Sequence, residues 1–354
     1  MIQKIIHIYA GKTLHQKIRI AILIFSVFPL ICLAGITIPF IYKNQLGKTQ
    51  KDAIEELQNR ANIMSNEMNT IELMGKTVCS DTSFITEVGE AVIDKNFGEY
   101  KRYIFKKQTL SAVKVITSVS QVQAARIHLD YQGIREYSPY LYSMDRAKDS
   151  LWYKDRNSLT YNGAWYMDVT DKQHYGNYST YFAGDNMASY VLPIKISSDL
   201  KGILEIMLPQ NAIVPDLYRK LNSRDVFLVD SRERLIGVEK KSEFGSISVR
   251  DLAGLLNIVS LKDYNAEGVH VYRGHWHHKP VILSILHDEK NGIFLMELIS
   301  VKKEYLIMEV EITGIIILEI MMTFVLSKAI DRIVDHLLHD FNVFASCMQE
   351  IGSG

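Results

Sequence analysis

The sequence has few cysteines and prolines and no excess of either charge. Its 354 residues include 3 Cys and 7 Pro, and 40 Lys and Arg balance 40 Asp and Glu. Three scattered cysteines exclude a disulfide-stapled scaffold, and a net charge of zero argues against a dedicated nucleic-acid binder, which would be basic. A composition that is 47 % hydrophobic excludes a wholly disordered chain. We therefore expect a folded protein without a nucleic-acid partner.

Catalytic and nucleotide-binding motifs are also absent. There is no Walker A or dinucleotide fingerprint, and no Ser-His-Asp or Cys-His pair stands at an informative spacing. The sequence therefore predicts no catalytic residue and no cofactor in this chain. The stretch 275–278 places His275 and His277 on one strand face, where imidazoles suit zinc or copper. No cysteine or close carboxylate completes a ligand set there, so we predict a solvated hairpin tip rather than a metal site.

Hydrophobic residues are instead concentrated in two long runs. Residues 20–42 carry no charge and are long enough to cross a hydrocarbon core of about 30 Å. A cleaved signal peptide is the alternative, but this run exceeds a signal h-region and lacks a small-x-small cleavage site. Residues 306–327 are uncharged from Ile312 onward apart from Glu319, and the alternative there is a buried helix of a soluble protein. The sequence predicts two transmembrane helices.

The flank of the first run sets the expected orientation. Four basic residues and no acid precede it, and such a segment stays in the cytoplasm. We predict a two-pass protein of the cell membrane, in contact with lipid, with both termini in the cytoplasm. The predicted segments are a cytoplasmic N-terminus (1–19), the first span (20–42), an extracellular region (43–305), the second span (306–327) and a cytoplasmic helix (328–354).

Two patterns repeat within the extracellular region. Residues 126–130 resemble residues 226–230, each a short strand that ends in Asp and precedes a polar turn and a second short strand. Residues 191–208 resemble residues 281–298, each a strand, a polar turn that ends in Gly, and a strand, and we expect both glycines to take positive φ. Two matching pairs in the same order indicate an internal duplication. The predicted units are a distal one at about 81–215 and a smaller proximal one at about 222–304, each a mainly antiparallel sheet with helices.

Apolar or small residues at heptad spacing follow each span. The first seam lies on a long helix that either packs on its own domain or pairs two chains. Its positions are Ile54, Leu57, Ala61, Met64, Met68, Ile71, Gly75 and Val78. The second seam lies on the cytoplasmic helix, where we predict a parallel coiled coil and hence a homodimer. Its positions are Ile330, Val334, Leu337, Phe341, Phe344, Met348 and Ile351.

Glu319 lies near the middle of the second span. Placing an acid at the centre of a bilayer costs roughly 2.5–3.5 kcal/mol on insertion scales. Because Glu319 flanks the second seam when that seam is continued back into the membrane, it either contacts a partner helix or is tolerated inside the bundle. The predicted signal-transmission residues are Glu319, Ile330, Val334, Leu337 and Phe341.

The order of segments resembles the double-Cache extracellular sensors of bacterial signalling receptors, and most of all the input half of YesM-type sensor histidine kinases. The residues that carry the resemblance are Leu151-Trp152-Tyr153, Trp165, the hairpin from Ser189 to Ile206, Phe227-Leu228-Val229-Asp230, and the tail from Met348 to Gly352, which looks like the end of a first HAMP helix. The resemblance implies an α+β fold with two PAS-like (Cache), mainly antiparallel sheet units on a long N-terminal helix, flanked by two transmembrane helices.

The chain also departs from that family. The stretch 330–334 lacks the proline that usually opens a HAMP helix, and the second HAMP helix and every kinase part are missing. His336 and His339 are not predicted phospho-acceptors. The resemblance implies the input module of a two-component receptor, which would reach a response regulator only through a kinase domain missing from this chain. The alternatives are the sensor half of a chemoreceptor or a cyclic-dinucleotide synthase, or a non-signalling membrane adaptor that binds an extracellular protein.

Related Cache domains hold their ligand in the distal unit, which implies the same for a small extracellular solute here. We expect aromatic side chains to form an apolar box there and Arg126, His128, Asp168 or Asp185 to orient a polar ligand. Amino-acid-binding Cache domains have an Arg two positions before the Trp, where this chain has Ser150, although Arg146 is a possible substitute. The alternative is that the tryptophans are core residues. The predicted ligand-binding residues are Arg126, His128, Arg146, Trp152, Tyr153, Trp165, Asp168, Asp185 and Tyr190.

Overall fold

The computed structural model describes most of the chain. The described residues are 14–93, 98–119, 121–130, 135–169, 186–196, 199–219, 221, 223–237, 244–264 and 266–352. The chain divides into two compact units, one formed by Lys51–Ser300 and the other by Met1–Gln50 with Val301–Gly354.

Helices begin and end the described chain, and the strands lie between them. The α-helices are α1 (Leu14–Ser80), α2 (Thr82–Ile93), α3 (Glu99–Thr117), α4 (Gln210–Ile213), α5 (Val249–Leu255) and α6 (Lys302–Gly352), and short 3-10 helices cover Met144–Ala147, Leu151–Asp155 and Leu261–Asp263. The strands are β1 (Ala124–Leu129), β2 (Leu141–Ser143), β3 (Ala164–Val169), β4 (Met187–Ile196), β5 (Asp199–Pro209), β6 (Arg224–Val229), β7 (Leu235–Ile236), β8 (Val269–Trp276), β9 (Lys279–Asp288) and β10 (Ile293–Ser300).

Two helices carry segments that are long and apolar enough to cross a membrane. By length and composition these segments are Val27–Ser80 of α1 and Lys302–Leu337 of α6, with mean hydropathies of 1.5 and 2.0 in their most apolar windows. No residue of either window is buried in the protein, and large apolar side chains such as Phe28, Ile36 and Phe324 are exposed. A buried helix of a soluble protein is therefore the wrong alternative for the second run, and the two apolar segments fit a membrane protein.

The helical unit joins α1 to α6 through two tyrosines. The hydroxyl oxygens of Tyr42 and Tyr305 lie 2.8 Å apart, and their rings meet edge to face with centroids 5.9 Å apart. Farther along α6, Ile330 and Val334 are buried while Leu337 is 61 % exposed. Phe344 and Met348, two later positions of the seam, are exposed as well. This chain therefore covers the second seam at Ile330 and Val334 and leaves it open at Leu337, Phe344 and Met348.

The first heptad seam packs on the chain's own domain from Leu57 onward, whereas Ile54, its predicted first position, is 40 % exposed. Leu57, Met64 and Ile71 are at most 1 % exposed, and they share one core with strands of both sheets. Gly75 continues the seam because a Cβ there would lie only 3.2 Å from side-chain atoms of Ile206 and Tyr190. Of the two alternatives for this seam, the structure shows packing within the domain.

Two five-stranded sheets form the domain, and they share one strand order. The first sheet has the order β2-β1-β5-β4-β3 and the second β7-β6-β10-β9-β8. Pairing is antiparallel throughout except that β2 runs parallel to β1. The predicted α+β fold with two mainly antiparallel sheets on a long N-terminal helix is confirmed. The expected short hairpin after Asp230 is present, whereas the strand after Asp130 is this parallel β2.

The repeated sequences do not superpose residue for residue. In β1, Ile127 faces the core that contains α1, whereas Phe227, 100 residues later in β6, faces a separate core on the other side of its sheet. Leu204 and Phe294, 90 residues apart, differ in the same way. Side chains along a strand alternate between the two faces of the sheet. The compared residues are 100 and 90 positions apart, and they lie on opposite faces relative to α1, so they are not structurally equivalent. The structural correspondence is shifted by one residue from the sequence match.

The turn glycines differ as well. Gly292 takes φ +63°, as expected. Gly202 does not take positive φ. A glycine is needed there because the backbone of β1 comes close, and a Cβ would lie 2.8 Å from the carbonyl oxygen of His128.

At the predicted tip of the second unit, His277 and His278 form the two-residue turn between β8 and β9 with φ of 47° and 65°, and both are exposed. The hairpin tip is confirmed.

Candidate ligand site

The first sheet has two faces with different chemistry. One face packs on α1 through aliphatic side chains, among them Ile127 and Leu204. The opposite face, here called the outward face, carries Arg126, which pairs in register with Glu205 across β1 and β5. Both of these charged residues are at most 2 % exposed. Since charged residues are almost never fully buried unless they are paired, this face is the exceptional one.

A buried cluster centres on Glu205. Its Oε2 lies 3.1 Å from Nε2 of His128. Its Oε1 accepts hydrogen bonds from Nε1 of Trp152 at 2.9 Å and from the hydroxyl of Ser189 at 3.0 Å. Both carboxylate oxygens are therefore satisfied by side chains from three different elements. The Glu205 cluster, as used below, comprises Arg126, His128, Trp152, Ser189 and Glu205.

Trp152 closes the cluster from outside the sheet. It lies on the 3-10 helix Leu151–Asp155 and is completely buried. Its ring meets the ring of His128 at a centroid distance of 5.2 Å, edge to face. On the other side of the cluster, Arg126 directs Nη1 to Sδ of Met207 at 3.2 Å. The short helix thus places the indole ring of Trp152 over the outward face, where its Nε1 hydrogen is donated to Glu205.

The electrostatics of the cluster favour an ionised carboxylate. Burial by itself raises the pKa of Glu205. The hydrogen bond and charge of His128, the charge of Arg126 and the Trp152 hydrogen bond outweigh burial and lower the pKa to about 2. The outward face therefore holds a buried negative charge beside the Arg126 guanidinium, and the carboxylate oxygens are bonded to side chains of the protein.

Trp165 and Tyr190 lie on the opposite face from the cluster. They pair in register across β3 and β4, and their ring centroids are 5.2 Å apart. Trp165 donates its Nε1 hydrogen to Oε1 of Glu72 on α1 at 3.2 Å, and the Tyr190 hydroxyl donates to the carbonyl of Asn162. The sheet separates these two predicted ligand residues from the Glu205 cluster, and their contacts are those of packing against α1.

The remaining predicted residues are more scattered. Arg146 is half exposed and makes a two-pronged ion pair with Glu136, at 3.0 Å from Nε and 2.8 Å from Nη2. Tyr153 follows Trp152 and stacks under the guanidinium of Arg156, 3.9 Å from its ring centroid. Asp168 lies in β3, but its side chain is outside what the structure describes, and Asp185 lies outside the described residues.

Sequence reasoning missed Glu205 and Ser189. The signal was present, because Glu205 is the only charge in the otherwise apolar run Ile203–Leu208 of a central strand. Alternation places it with Ile203 and Met207 on one face. A lone acid in a buried strand predicts a buried partner, and Arg126 and His128 were the basic residues with matching alternation in β1.

The second sheet also contains a buried glutamate, but the pKa of this one is raised rather than lowered. Glu297 of β10 is completely buried, and its Oε1 accepts from Nη1 of Arg60 and Nη1 of Arg224, each at 3.3 Å. Burial raises the pKa of Glu297, and the two arginines lower it by less than burial raises it. Unlike Glu205, Glu297 faces α1, which carries Arg60.

Comparisons with known proteins give structural neighbours only. No protein-family model and no curated protein sequence matches the chain. The sensory domain of the Campylobacter jejuni chemoreceptor Tlp3 (CcmL) with isoleucine bound is 12 % identical, with a TM-score of 0.45, 75 % of this chain covered and 98 % of that chain. The extracellular domain of the putative histidine kinase soHK1S-Z6 is 11 % identical, with a TM-score of 0.47 and the same coverage, 75 % and 98 %.

A third neighbour binds a different amino acid. It is the ligand-binding domain of the Pseudomonas aeruginosa PAO1 amino acid chemoreceptor PctB in complex with L-Arg, 11 % identical, with a TM-score of 0.45 and coverage of 73 % and 98 %. All three neighbours are sensory or extracellular domains of signalling receptors. Similarity at this level assigns neither a ligand nor an output domain to this chain.

Proposed function

We propose that this chain is the sensory module of a two-span receptor of the cell membrane and that it binds a small extracellular solute at the Glu205 cluster. The observation that carries the proposal is the buried constellation of Arg126, His128, Trp152 and Glu205 on the outward face. Burying charged groups costs stability compared with a well-packed apolar face. Perturbed, buried ionisable groups that converge on one face are therefore candidates for a binding site.

The proposed topology supports that use. The two apolar helices flank the two-sheet domain in the sequence, so we propose that the domain lies outside the cell and both termini lie in the cytoplasm. Residues 1–19 contain four basic residues and no acid, which supports this orientation. A ligand outside the cell would then act through helices that cross the bilayer.

The signalling step requires two states with different affinity for the ligand. We propose that the chain is a homodimer and that binding shifts the equilibrium between two dimer arrangements, by no more than the differential affinity allows. The shift passes through the second span, which contains Glu319, to the seam that begins at Ile330 and Val334. The exposed Leu337 leaves part of that seam open for a second copy.

The finer proposal for the output is a histidine kinase that acts on a response regulator, on the strength of the YesM-like residues around Trp152 and in β4 and β5. Chemoreceptors and cyclic-dinucleotide synthases share this input layout. Sequencing the gene beyond codon 354 separates these outputs: we expect a second HAMP helix and a kinase domain. A methyl-accepting or cyclase domain there would replace the kinase proposal and leave the sensor proposal intact.

The sensor proposal is tested on the full chain in lipid nanodiscs. We would screen amino acids, sugars, organic acids and short peptides by thermal shift, since a ligand of the native state raises the melting temperature in a dose-dependent way. The expected result is a hit whose shift disappears in Glu205→Gln and persists in Glu297→Gln, which changes the equally buried glutamate of the other sheet. A hit that Glu205→Gln leaves unchanged refutes the site, and a folded protein without any hit refutes the small-solute function.

A further inference from the structure

A cleft separate from the Glu205 cluster lies where the two sheets meet. Its volume is about 380 Å³, within the range of roughly 300–1,000 Å³ that is usual for small-molecule sites. Asp155 and Tyr166 line it from the first sheet's side, and Arg232, Lys290 and Asn291 line it from turns of the second sheet. None of the cluster residues lines the cleft, so an occupant here would be a second ligand.

Charged side chains of both signs line the cleft, and four of them form two ion pairs. Arg232 forms an ion pair with Asp155 across the gap. Arg234 donates hydrogen bonds from Nε at 2.9 Å and from Nη2 at 2.6 Å to Oδ2 of Asp230. A charged occupant would lose its own hydration on entering the cleft and would gain little net attraction from groups that already neutralise each other. The lining therefore favours an uncharged occupant over a free anion or cation.

The third cation of the lining is engaged as well. Nζ of Lys290 lies 2.8 Å from Oε2 of Glu72 and 2.9 Å from Oδ1 of Asn69. Both acceptors belong to α1. The positive charge of Lys290 is thus matched by an acid of the neighbouring helix, and no side of the cleft offers an uncompensated charge among the described residues.

Paired ionic groups still present many hydrogen-bonding positions. A carboxylate has about four lone-pair sites and a guanidinium five N–H donors, so a single ion pair leaves several of each unused. A hydroxyl group both donates and accepts, so it can use both kinds of position. The hydroxyl of Tyr166, which donates to Asp155 at 3.2 Å, adds a further polar group beside them. The ring of Tyr166 is buried and lies under the guanidinium of Arg232, which is 5.5 Å from the ring centroid.

We propose that this cleft binds a neutral, hydroxyl-rich small molecule of the sugar class, held between the Asp155–Arg232 pair and Asn291. The occupant contacts residues of both sheets and so bridges them. This proposal goes beyond the solute site at the Glu205 cluster and does not depend on it.

The test uses the full chain in nanodiscs and three kinds of probe in calorimetric titrations. The sugar probes are maltose, cellobiose and xylobiose, the anion probe is citrate, and the zwitterion probe is L-isoleucine. We expect saturable binding of at least one disaccharide with a dissociation constant of about 1 mM or lower, which corresponds to about −4 kcal/mol or stronger. Neither citrate nor isoleucine should compete for that site.

Paired variants at one position locate the binding. Ser231 is exposed and lines the cleft, so Ser231→Trp fills the space and Ser231→Ala leaves it open. Sugar affinity should fall at least about tenfold in the tryptophan variant and stay unchanged in the alanine variant and in Ser246→Trp, a control at an exposed turn elsewhere. Circular dichroism confirms that each variant is folded.

Three results would overturn the proposal. They are the absence of disaccharide binding, sugar binding that Ser231→Trp leaves intact, and competition by citrate, which would show an anion site instead. Binding that is lost in Glu205→Gln but kept in Ser231→Trp would assign the sugar to the cluster, so failure of this proposal is distinguishable from failure of the first.

Discussion

Replacing Glu205 by glutamine removes a buried negative charge while keeping the shape of the side chain. The pKa of this carboxyl is lowered from its ordinary 4.5 to about 2 in the folded protein. Each pKa unit corresponds to about 1.4 kcal/mol, so the ionised form is favoured by about 3 kcal/mol relative to the protonated form. Since glutamine resembles the protonated carboxyl, Glu205→Gln should lower the unfolding free energy at pH 7 by about that amount.

The sign of the pH dependence follows from the direction of the shift. Because the folded pKa is below the unfolded pKa, the unfolded chain takes up this proton first as the pH falls. The stabilisation therefore decreases progressively from about pH 5 and is lost as the pH falls through the folded pKa of about 2. By pH 3 about 2 kcal/mol of the difference between wild type and Glu205→Gln should have disappeared. Above about pH 6 the difference should be constant.

The assay is denaturant unfolding of the full chain in detergent, followed by tryptophan fluorescence at several pH values. Trp152 is fully buried against the cluster, and Trp165 and Trp276 lie in the same domain, so the combined emission reports unfolding of the domain. Comparing the two proteins at each pH cancels the titration of all other groups. A variant as stable as the wild type at pH 7, or a difference that stays constant down to pH 3, would refute the assignment of a stabilising, ionised Glu205.

Three further predictions concern other parts of the domain. Burial raises the pKa of Glu297, so the ionised form is disfavoured in the folded protein and Glu297→Gln should be at least as stable as the wild type at pH 8. The stability advantage of the variant should shrink as the pH falls. A large loss of unfolding free energy at pH 8 would contradict this prediction. Gly163 takes φ +68°, and a Cβ added there would lie 2.7 Å from the carbonyl oxygen of Val191. Gly163→Ala should therefore lower the unfolding free energy by about 1–3 kcal/mol in urea unfolding. An alanine variant as stable as the wild type would be inconsistent with this turn geometry. Asp155 and Arg232 are each about two-fifths exposed. A double-mutant cycle with Asp155→Asn and Arg232→Gln should therefore give a coupling free energy of only about 0.2–1 kcal/mol. A coupling well above that range would show that the pair is buried.

Periodicity was enough to predict the architecture. The heptad spacing of Leu57, Met64 and Ile71 marked a helix with one buried stripe, and the apolar runs marked the two long helices. The repeated strand-turn-strand patterns predicted two sheets. These features depend on local alternation of apolar and polar residues, which a single sequence displays directly.

The candidate site was only partly predictable. Arg126, His128 and Trp152 were named from the sequence and do come together, but Glu205, to which His128 and Trp152 bond, was not named. Trp165 and Tyr190 were grouped with them because they are aromatic and close in sequence, yet strand pairing places them across the sheet. Which face a strand residue takes depends on register, and register is set by pairing between distant segments rather than by composition.

Helix α1 is the shared wall of both sheets, and this has a consequence for how the domain unfolds. Its buried stripe contributes to one continuous core with Leu204 of the first sheet and Leu228 of the second. Glu72 fastens the same helix to both, through Trp165 on one side and Lys290 on the other. Loss of either sheet's packing against α1 would expose apolar side chains of this shared core. The domain should therefore melt in a single cooperative transition, and exchanging one sheet for that of another protein requires the matching stretch of α1 to be exchanged with it.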